Sequence, residues 1–387
     1  MMDVLSADVA VIGGGPAGAA AAVRLAEQGV QVVLLDRARF PRDKVCGDGL
    51  LPDAFAPLAR LGVLDQVRER AHSVRGIRFQ TPSGVQGFVP VEALVIPRVQ
   101  LDALLVERAR LAGARVVEGA RLEGFEGERG RWRAAVFSFR ERNGGTRVEA
   151  GWFVLATGAS PRPRQLAGLR PAPRVGAAVR SYLRLPGLAR DELLIVFKGG
   201  GLPRGYYWAF PIGDGIFNLG CGVFASRPGD PSLVEEARDF AGELGAMTAP
   251  EPVRGAPLQS SFPRLAAAKG NVLAVGEAAG LTRPFSGEGI ASALESGLLA
   301  AHALGSGEGP DPARHYRRLL QRRFAREFAA YRWGERLLGW PWLVTALVRR
   351  VEASATARAR VKAVLAAVSS PASLLSVRGV GRLLLGR

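Results

Sequence analysis

The sequence predicts an α/β fold in which a dinucleotide-binding domain is assembled from separated segments, with a strand-rich module inserted among them. Three observations carry this reading. A short apolar strand runs into a glycine-rich turn and an alanine-rich helix at the N-terminus. A second strand and small-residue turn of the same kind begins at Asn271. Between them, residues 174–223 are rich in strands punctuated by Pro and Gly. At 387 residues the chain exceeds one typical compact core, which suits two interleaved domains.

Asp8 to Ile12 reads as a buried strand and Pro16 to Gln28 as a helix with Gly29 at its C′ position. Val30 to Leu35 reads as a second buried strand. Between the first strand and the helix lies Gly13-Gly14-Gly15-Pro16-Ala17-Gly18, a G-x-G-x-x-G turn with Ala17 inside it. Gly13 permits the tight turn, Gly15 lets a diphosphate approach the backbone, and Gly18 lets helix and strand pack closely. The helix N-terminus offers free N–H groups and a positive dipole end to that diphosphate. Asp36, followed by Arg37, closes the second strand, where a carboxylate can accept from ribose hydroxyls. Strand, turn, helix and acid in this order predict a bound dinucleotide.

Alternating segments at Val74–Phe79 and Gln86–Val89 read as strands, Arg98 to Ala112 as a helix, and Ala114 to Glu118 as a strand returning to the first sheet. Residues 121–150 suit hairpin strands with Asn143-Gly144 as a turn, and Trp152 to Ala156 is another buried strand. Asn271 to Val275 reads as a strand and Gly287 to Leu304 as a helix of small residues. From Pro310 the chain is helical, with breaks at Gly339-Trp340-Pro341 and Ser369-Ser370-Pro371.

Composition narrows the classes further. Hydrophobic residues at 48% and charged residues at 22% predict a folded chain. The opening residues lack a secretory pattern, and no apolar run is long enough to span a bilayer, so a cytoplasmic protein, at most peripheral on the inner membrane face, is expected. Cys46 and Cys221 do not make a disulfide scaffold, and His72, His302 and His315 are scattered, so no metal site is expected. The net charge of +17 is uneven: from Arg314 onward fifteen arginines and Lys362 face only Glu327, Glu335 and Glu352. Such a tail suits an anionic surface such as lipid headgroups, although a general arginine bias explains part of it. No nucleic-acid motif accompanies the charge, so no nucleic acid is expected.

Three further motifs point to a family. Asn271-Val272-Leu273-Ala274-Val275-Gly276-Glu277-Ala278-Ala279-Gly280, followed by Pro284-Phe285-Ser286-Gly287-Glu288-Gly289-Ile290, resembles the FAD oxidoreductases of the para-hydroxybenzoate hydroxylase-like fold. The resemblance implies FAD, with Gly276, Glu277, Gly287, Gly289 and Ile290 at its ribityl chain and ring, and with Arg98 opening a helix against the cofactor. Relatives usually carry Asp at the position of Glu277, and often an Asp before the glycine of Ala156-Thr157-Gly158-Ala159-Ser160. A helix starting at Gly287–Gly289 could set its positive end beside flavin N1 and O2.

Pro41-Arg42-Asp43-Lys44-Val45-Cys46-Gly47-Asp48-Gly49 and Pro203-Arg204-Gly205-Tyr206-Tyr207-Trp208-Ala209-Phe210-Pro211 together resemble the geranylgeranyl reductase family. Its K-x-C-G loop and P-x-x-Y-x-W-x-F-P segment both match, and the likeness covers most of residues 3–305. It implies a discontinuous Rossmann-like FAD-binding domain (1–70, 97–165 and 265–309), an inserted β-rich substrate domain (71–96 and 166–264), and a basic helical C-terminal region (310–387). It also implies reduction of isolated double bonds in polyprenyl chains by hydride from reduced flavin N5.

Cys46, with Gly47 beside it at the flavin, is the candidate proton donor, because an ordinary thiol is mostly protonated at neutral pH. Lys44 and Arg42 would favour thiolate, which argues for a cysteine that only lines the pocket. Tyr206, Trp208 and Phe210 alternate at strand period and face one side, as a cavity wall for the prenyl chain or as ordinary sheet core; Pro211 should end or edge the strand. Tyr206 and Trp208 stand nearest the chemistry in this reading.

A twenty-carbon chain gains on the order of 15 kcal/mol on leaving water. A bilayer offers nearly the same, so substrate should be collected at the membrane. Trp340, Trp342 and Leu343, flanked by Arg349 and Arg350, suit an interfacial helix or one packed on the main body. No second G-x-G-x-x-G marks a nicotinamide domain, leaving NAD(P)H, a ferredoxin or a quinol as electron donor. An FAD monooxygenase would share both glycine motifs without needing the Cys46 loop. A non-catalytic flavin redox sensor at the membrane would suit the basic tail and leave the aromatic segment unexplained.

Overall fold

In the computed structural model the described residues are 3–139, 144–170, 176–198, 202, 205–224, 229–247, 252–264, 266–305, 310–337 and 340–385. Of the features expected above, Asn143, Pro203, Arg204 and Gly339 lie outside them.

The chain begins with β1 (Asp3–Ile12), α1 (Pro16–Glu27), β2 (Val32–Asp36) and β3 (Gly49–Leu50). Two short helices, α2 (Phe55–Arg60) and α3 (Leu64–Arg70), lead to β4 (His72–Gln80) and β5 (Gln86–Val95). Next come α4 (Arg98–Leu111), β6 (Arg115–Glu118), β7 (Ala120–Glu128), β8 (Arg131–Phe139), β9 (Gly145–Leu155) and α5 (Pro161–Leu166). The central stretch holds β10 (Gly176–Arg184), β11 (Glu192–Val196), β12 (Gly205–Gly213), β13 (Ile216–Val223), α6 (Leu233–Glu243) and β14 (Arg254–Leu258). The chain returns through β15 (Ala268–Lys269), β16 (Val272–Ala274) and α7 (Ile290–Gly305). It closes with α8 (Pro312–Leu337), α9 (Pro341–Ala353), α10 (Ala355–Leu365) and α11 (Val377–Leu385).

The strands form two sheets, which with the intervening helices makes this an α/β protein. The first runs β15-β16-β9-β1-β2-β6, with β8 and β7 added beside β9, and its β16-β9-β1-β2-β6 path is parallel. Parallel strands are covered on both faces, so β2 is buried along its whole length. β1 extends beyond its apolar run because Asp3 to Ala7 pair with Thr146 to Ala150 of β9. The hairpin strands and the buried strand expected at Trp152 prove continuous: β9 carries both, since its early residues pair β8 while its later ones pair β16. The helices α1 and α7 cross closely because their contact residues are small: a Cβ on Gly297 would fall 2.2 Å from the Ala17 carbonyl oxygen.

The second sheet runs β14-β10-β13-β12-β11-β4-β5-β3 and is antiparallel except where β11 meets β4. One face packs on α6, through Tyr207, Ala209, Phe217, Leu219 and Phe240. The opposite face of β12 turns Tyr206, Trp208 and Phe210 toward the first sheet. Among the C-terminal helices, α8 lies against α7 through Tyr316, Leu320, Phe324 and Phe328. The helices α9 and α10 cover β5, and α11 packs on α9. Among the described residues no helix is long and apolar enough to cross a membrane.

Two local expectations are corrected. Pro211 does not end its strand: β12 continues to Gly213, with Pro211 opposite Phe217 of β13 just before a register shift. It lies beyond Ala209, the last β12 residue paired with β11, so its missing N–H interrupts no pairing with that strand. The helix expected from Gly287 starts at Ile290, because Gly287 has a φ of 70° that no right-handed helix contains. The Gly289 carbonyl accepts the Ala293 N–H at 2.8 Å and so begins the helical ladder.

Candidate active site

The two sheets meet across a cavity of about 500 Å³. Its walls come from the glycine turn after β1, the loop between β2 and β3, the inward face of β12, and the segment that leads into α7.

The glycine turn is shaped by contacts that exclude side chains. Gly13 has a φ of 110°, and a Cβ there would lie 2.4 Å from the Ala156 carbonyl oxygen. A Cβ on Gly18 would lie 1.9 Å from the Gly13 oxygen, so Gly18 serves the packing of α1 on β1 and stays off the cavity surface. Gly15 differs: the nearest atoms its Cβ would meet are guanidinium nitrogens of Arg42 and Arg98, each at 3.8 Å. Ala17 and the exposed Arg37 also line the cavity. Asp36 closes β2 with its Oδ2 accepting the Gly14 N–H at 2.7 Å and its Oδ1 accepting the Ala38 N–H at 2.9 Å. The carboxylate therefore holds the turn in place from the cavity wall.

Behind the turn lies a buried charge cluster. Arg98 Nε and Nη2 grip the two Asp102 oxygens at 2.7 Å each, and Arg42 Nη1 adds a third bond at 2.7 Å. Burial alone would raise the Asp102 carboxyl, but the Arg98 and Arg42 guanidinium groups outweigh it and hold it below the ordinary carboxylate range. Arg42 Nη2 also lies 3.8 Å from Asp36 Oδ2, so two cations face two anions, and what the guanidinium groups offer beside Gly15 is N–H donors. Thr157 Oγ1, buried without a protein partner, also stands on the cavity wall. A bare glycine, a helix N-terminus, two guanidinium groups and a free hydroxyl make a donor set that fits FAD, with its diphosphate and its many hydroxyls.

The loop before β3 carries the thiol. Cys46 is half-buried on the cavity wall, and its Sγ accepts the Asp48 N–H at 3.3 Å. Asp48 is fully buried in a left-handed backbone, φ 64°. Its Oδ2 accepts from the Tyr182 hydroxyl at 2.5 Å and from Asn218 Nδ2 at 2.7 Å, while Oδ1 accepts the Arg98 N–H at 3.2 Å. Asn218 Nδ2 also reaches the Cys46 carbonyl at 2.7 Å, and its Oδ1 accepts Trp208 Nε1 at 2.9 Å. One carboxylate thus links the Cys46 loop, the aromatic strand and the start of α4. Burial pushes the Asp48 carboxyl up to about 6, against the pull of its Tyr182 and Asn218 donors.

Burial, followed by the Asp48 charge, pushes the Cys46 thiol up, with Arg98 and Lys44 opposing more weakly. The pull toward thiolate expected of Lys44 and Arg42 is thus outweighed. Both cations are engaged elsewhere: Arg42 on Asp102, and Lys44 Nζ on Glu277 Oε2 at 3.0 Å. Glu277 Oε1 accepts the Gln259 N–H at 3.1 Å. The Lys44–Glu277 pair therefore bridges the two cavity walls.

On β12 the ring centroids of Tyr206 and Trp208 lie 6.1 Å apart, and those of Trp208 and Phe210 6.4 Å. The Cys46 loop presses on this wall, since a Cβ on Gly47 would stand 3.2 Å from the Phe210 ring. The Tyr206 hydroxyl donates to the Ser286 carbonyl, and burial pushes its phenol above the ordinary range. Gly287, Gly289 and Ile290 complete the wall opposite. Gly276, with a φ of 57°, lies off the cavity, where a Cβ would meet the Ala17 methyl at 2.9 Å.

Sequence reasoning did not single out Asp48, Asn218 or Tyr182. Asp48 stands inside the quoted loop motif, but nothing local announces its burial. A lone asparagine in the apolar strand Ile216–Val223 was the available signal for Asn218.

The profile of the FAD binding domain family matches residues 6–181. Over 353 residues the chain is 34% identical to the menaquinone reductase of Mycolicibacterium smegmatis, covering 84% of this chain and 83% of that protein. Over 348 residues it is 27% identical to digeranylgeranylglycerophospholipid reductase 1 of Methanothermobacter thermautotrophicus, covering 85% of each. A solved structure of a geranylgeranyl bacteriochlorophyll reductase-like protein from Thermoplasma acidophilum matches with a TM-score of 0.82. It is 21% identical and covers 98% of this chain and 96% of that one, a likeness of fold. With the cavity's donor set suited to FAD and relatives matched along most of its length, the chain belongs to the geranylgeranyl reductase family of FAD-dependent oxidoreductases.

Proposed function

We propose that this protein reduces isolated double bonds in a geranylgeranyl or other polyprenyl chain carried by a quinone, lipid or pigment precursor. The observation that carries the reading is the half-buried Cys46 thiol and the Tyr206–Trp208–Phe210 wall meeting on one cavity beside the cofactor residues. Relatives named for menaquinone and for digeranylgeranylglycerophospholipid support it, since both molecules bear such chains.

Reduced FAD, when bound, supplies the hydride from its N5. An isolated alkene has no carbonyl to polarise, so a proton must reach the second carbon as the first accepts hydride. Cys46 is the proposed donor, kept as thiol by burial and by Asp48. Tyr206 and Trp208 act at the reacting segment by holding the chain, with Phe210 extending the surface. The Tyr206 hydroxyl is committed to Ser286 and the Trp208 N–H to Asn218, so both rings present apolar faces that exclude water. Gly13, Gly15, Ala17, Asp36, Arg37, Arg98, Gly47, Glu277, Gly287, Gly289 and Ile290 would hold the cofactor. Gly18 and Gly276 would support them through packing. NAD(P)H or a ferredoxin would reload the flavin, and the basic C-terminal helices would keep the enzyme at the inner face of the membrane.

The test is anaerobic. Protein with reduced FAD is mixed with detergent-dispersed geranylgeranyl lipids or menaquinone, and flavin absorbance near 450 nm and product mass are followed. Flavin reoxidation with a lasting gain of two hydrogens per double bond is expected, and the gain should survive air, which returns a quinol to its quinone. Reduced flavin that persists with every prenyl substrate, yet reoxidises in oxygen to hydroxylate an aromatic, would replace this reading with a monooxygenase.

A further inference from the structure

The C-terminal helices carry a patch that the proposed reaction does not use. Trp340 and Trp342 open α9 with their indoles stacked, ring centroids 6.2 Å apart. They are 54% and 68% exposed, while the next residues, Leu343 and Val344, are buried. The helix is thus anchored to the body and its rings stand out from it.

Helix α11 runs beside α9 in the same sense: Leu343 and Val380 share one apolar cluster, and Arg350 Nε donates to the Leu383 carbonyl at 3.2 Å. This alignment sets the first turn of α11, where Val377 is 71% exposed, at the same end as the tryptophan pair. Arg336, at the end of α8, and Arg378 and Arg382, on α11, are exposed. The one carboxylate within residues 331–345 and 371–385, Glu335, is buried. The patch therefore joins exposed aromatic and aliphatic surface to exposed arginines.

We propose that this end of α9 and α11 docks on an anionic lipid bilayer, with the two indoles seated at the headgroup level. Indole is favoured at that depth because its apolar body leaves water while its N–H stays wet. Neighbouring arginines are drawn to the negative surface and lie within a Debye length of it. An acidic protein would satisfy the arginines but would give no reason for the exposed rings. Next to α9, the end of α10 packs through Leu365 and Ala366 on the same apolar cluster as Phe210 of the cavity wall. The purpose of docking, collecting a prenyl chain from the bilayer, rests on the function proposed above; the docking itself does not.

Co-sedimentation of the FAD-loaded full chain with vesicles tests it. Wild-type protein should sediment with phosphatidylglycerol-containing vesicles, less so in high salt, and its tryptophan emission should shift to the blue. The double variant Trp340→Ser/Trp342→Ser removes only exposed rings and should partition at least about tenfold more weakly. Arg378→Gln/Arg382→Gln should weaken binding to those vesicles and leave any residual binding to phosphatidylcholine unchanged. Flavin reoxidation by detergent-dispersed prenyl substrate should be the same in the tryptophan variant as in wild type. Wild-type protein that stays in the supernatant, or a tryptophan variant that sediments as well as wild type, overturns the proposal and favours an acidic protein at the arginines. Should vesicle binding depend on the rings while no prenyl substrate reoxidises the flavin, the docking stands and the reductase reading fails.

Discussion

Lys44 Nζ stands 3.0 Å from Glu277 Oε2, joining the loop after β2 to the turn before α7 across the cavity. The side chains are 37% and 13% exposed, so solvent screens the pair in part and its coupling should be about 1 kcal/mol or less. Lys44→Met and Glu277→Gln are each expected to weaken FAD binding by about tenfold, and the double variant by less than the product of the two. Fluorescence titration of apoprotein with FAD measures this; strictly multiplicative losses would show that the two residues act independently.

Asp48 should leave a signature in the dependence of stability on pH. Its carboxyl is raised from 3.8 to about 6 by burial. Between those values the folded protein holds a proton that the unfolded chain has released, so stability falls as pH rises. The contribution is roughly 3 kcal/mol, fully present below about pH 4 and lost by about pH 6. Denaturant titrations across this window should show the slope in wild type and a flatter profile in Asp48→Asn. An unchanged slope in the variant would assign it to another group.

Cys46 should behave as a thiol rather than a thiolate. Iodoacetamide should modify it slowly at pH 7 and faster in Asp48→Asn, where the neighbouring negative charge is gone. Cys221 is fully buried and pushed up to about 12, so it should stay silent. In the proposed reaction Cys46→Ser should keep FAD binding and slow flavin reoxidation by roughly 100-fold. An undiminished rate would leave the cysteine as pocket lining.

Two glycines of one turn should separate binding from folding. Gly15→Val adds a side chain where the nearest atoms lie 3.8 Å away on the cavity wall, so apoprotein should melt near the wild-type temperature and bind FAD at least about 100-fold more weakly. Gly18→Ala sets a methyl 1.9 Å from a backbone oxygen and should cost apoprotein about 2 kcal/mol or more. Thermal melts with and without FAD check both; equal loss of stability in the two variants would refute the distinction.

The legible parts are those that local rules govern. The G-x-G-x-x-G turn could be read because its glycines answer to neighbours within a turn and one adjacent strand. The shared face of Tyr206, Trp208 and Phe210 could be read because a strand alternates with period two. Gly287 was misread as a helix start, since a small-residue stretch does not reveal a φ of 70°. Pro211 did not end its strand as one alternative had it, because how far β12 continues depends on β13, which pairs it through Gly213, while β11 pairs it only to Ala209.

By itself, then, the sequence determined the discontinuous α/β core, the dinucleotide turn and the aromatic strand, all consequences of spacing along a few residues, while FAD followed from the family resemblance. Only the tertiary structure decided the electrostatics of the site. It brought Lys44 to Glu277, Arg42 to Asp102, and Asp48 to Tyr182 and Asn218. It also buried the carboxylate beside Cys46, and so set which way the thiol leans. Charge and burial at a point depend on everything packed around it, and residues distant in the chain supply most of that surrounding.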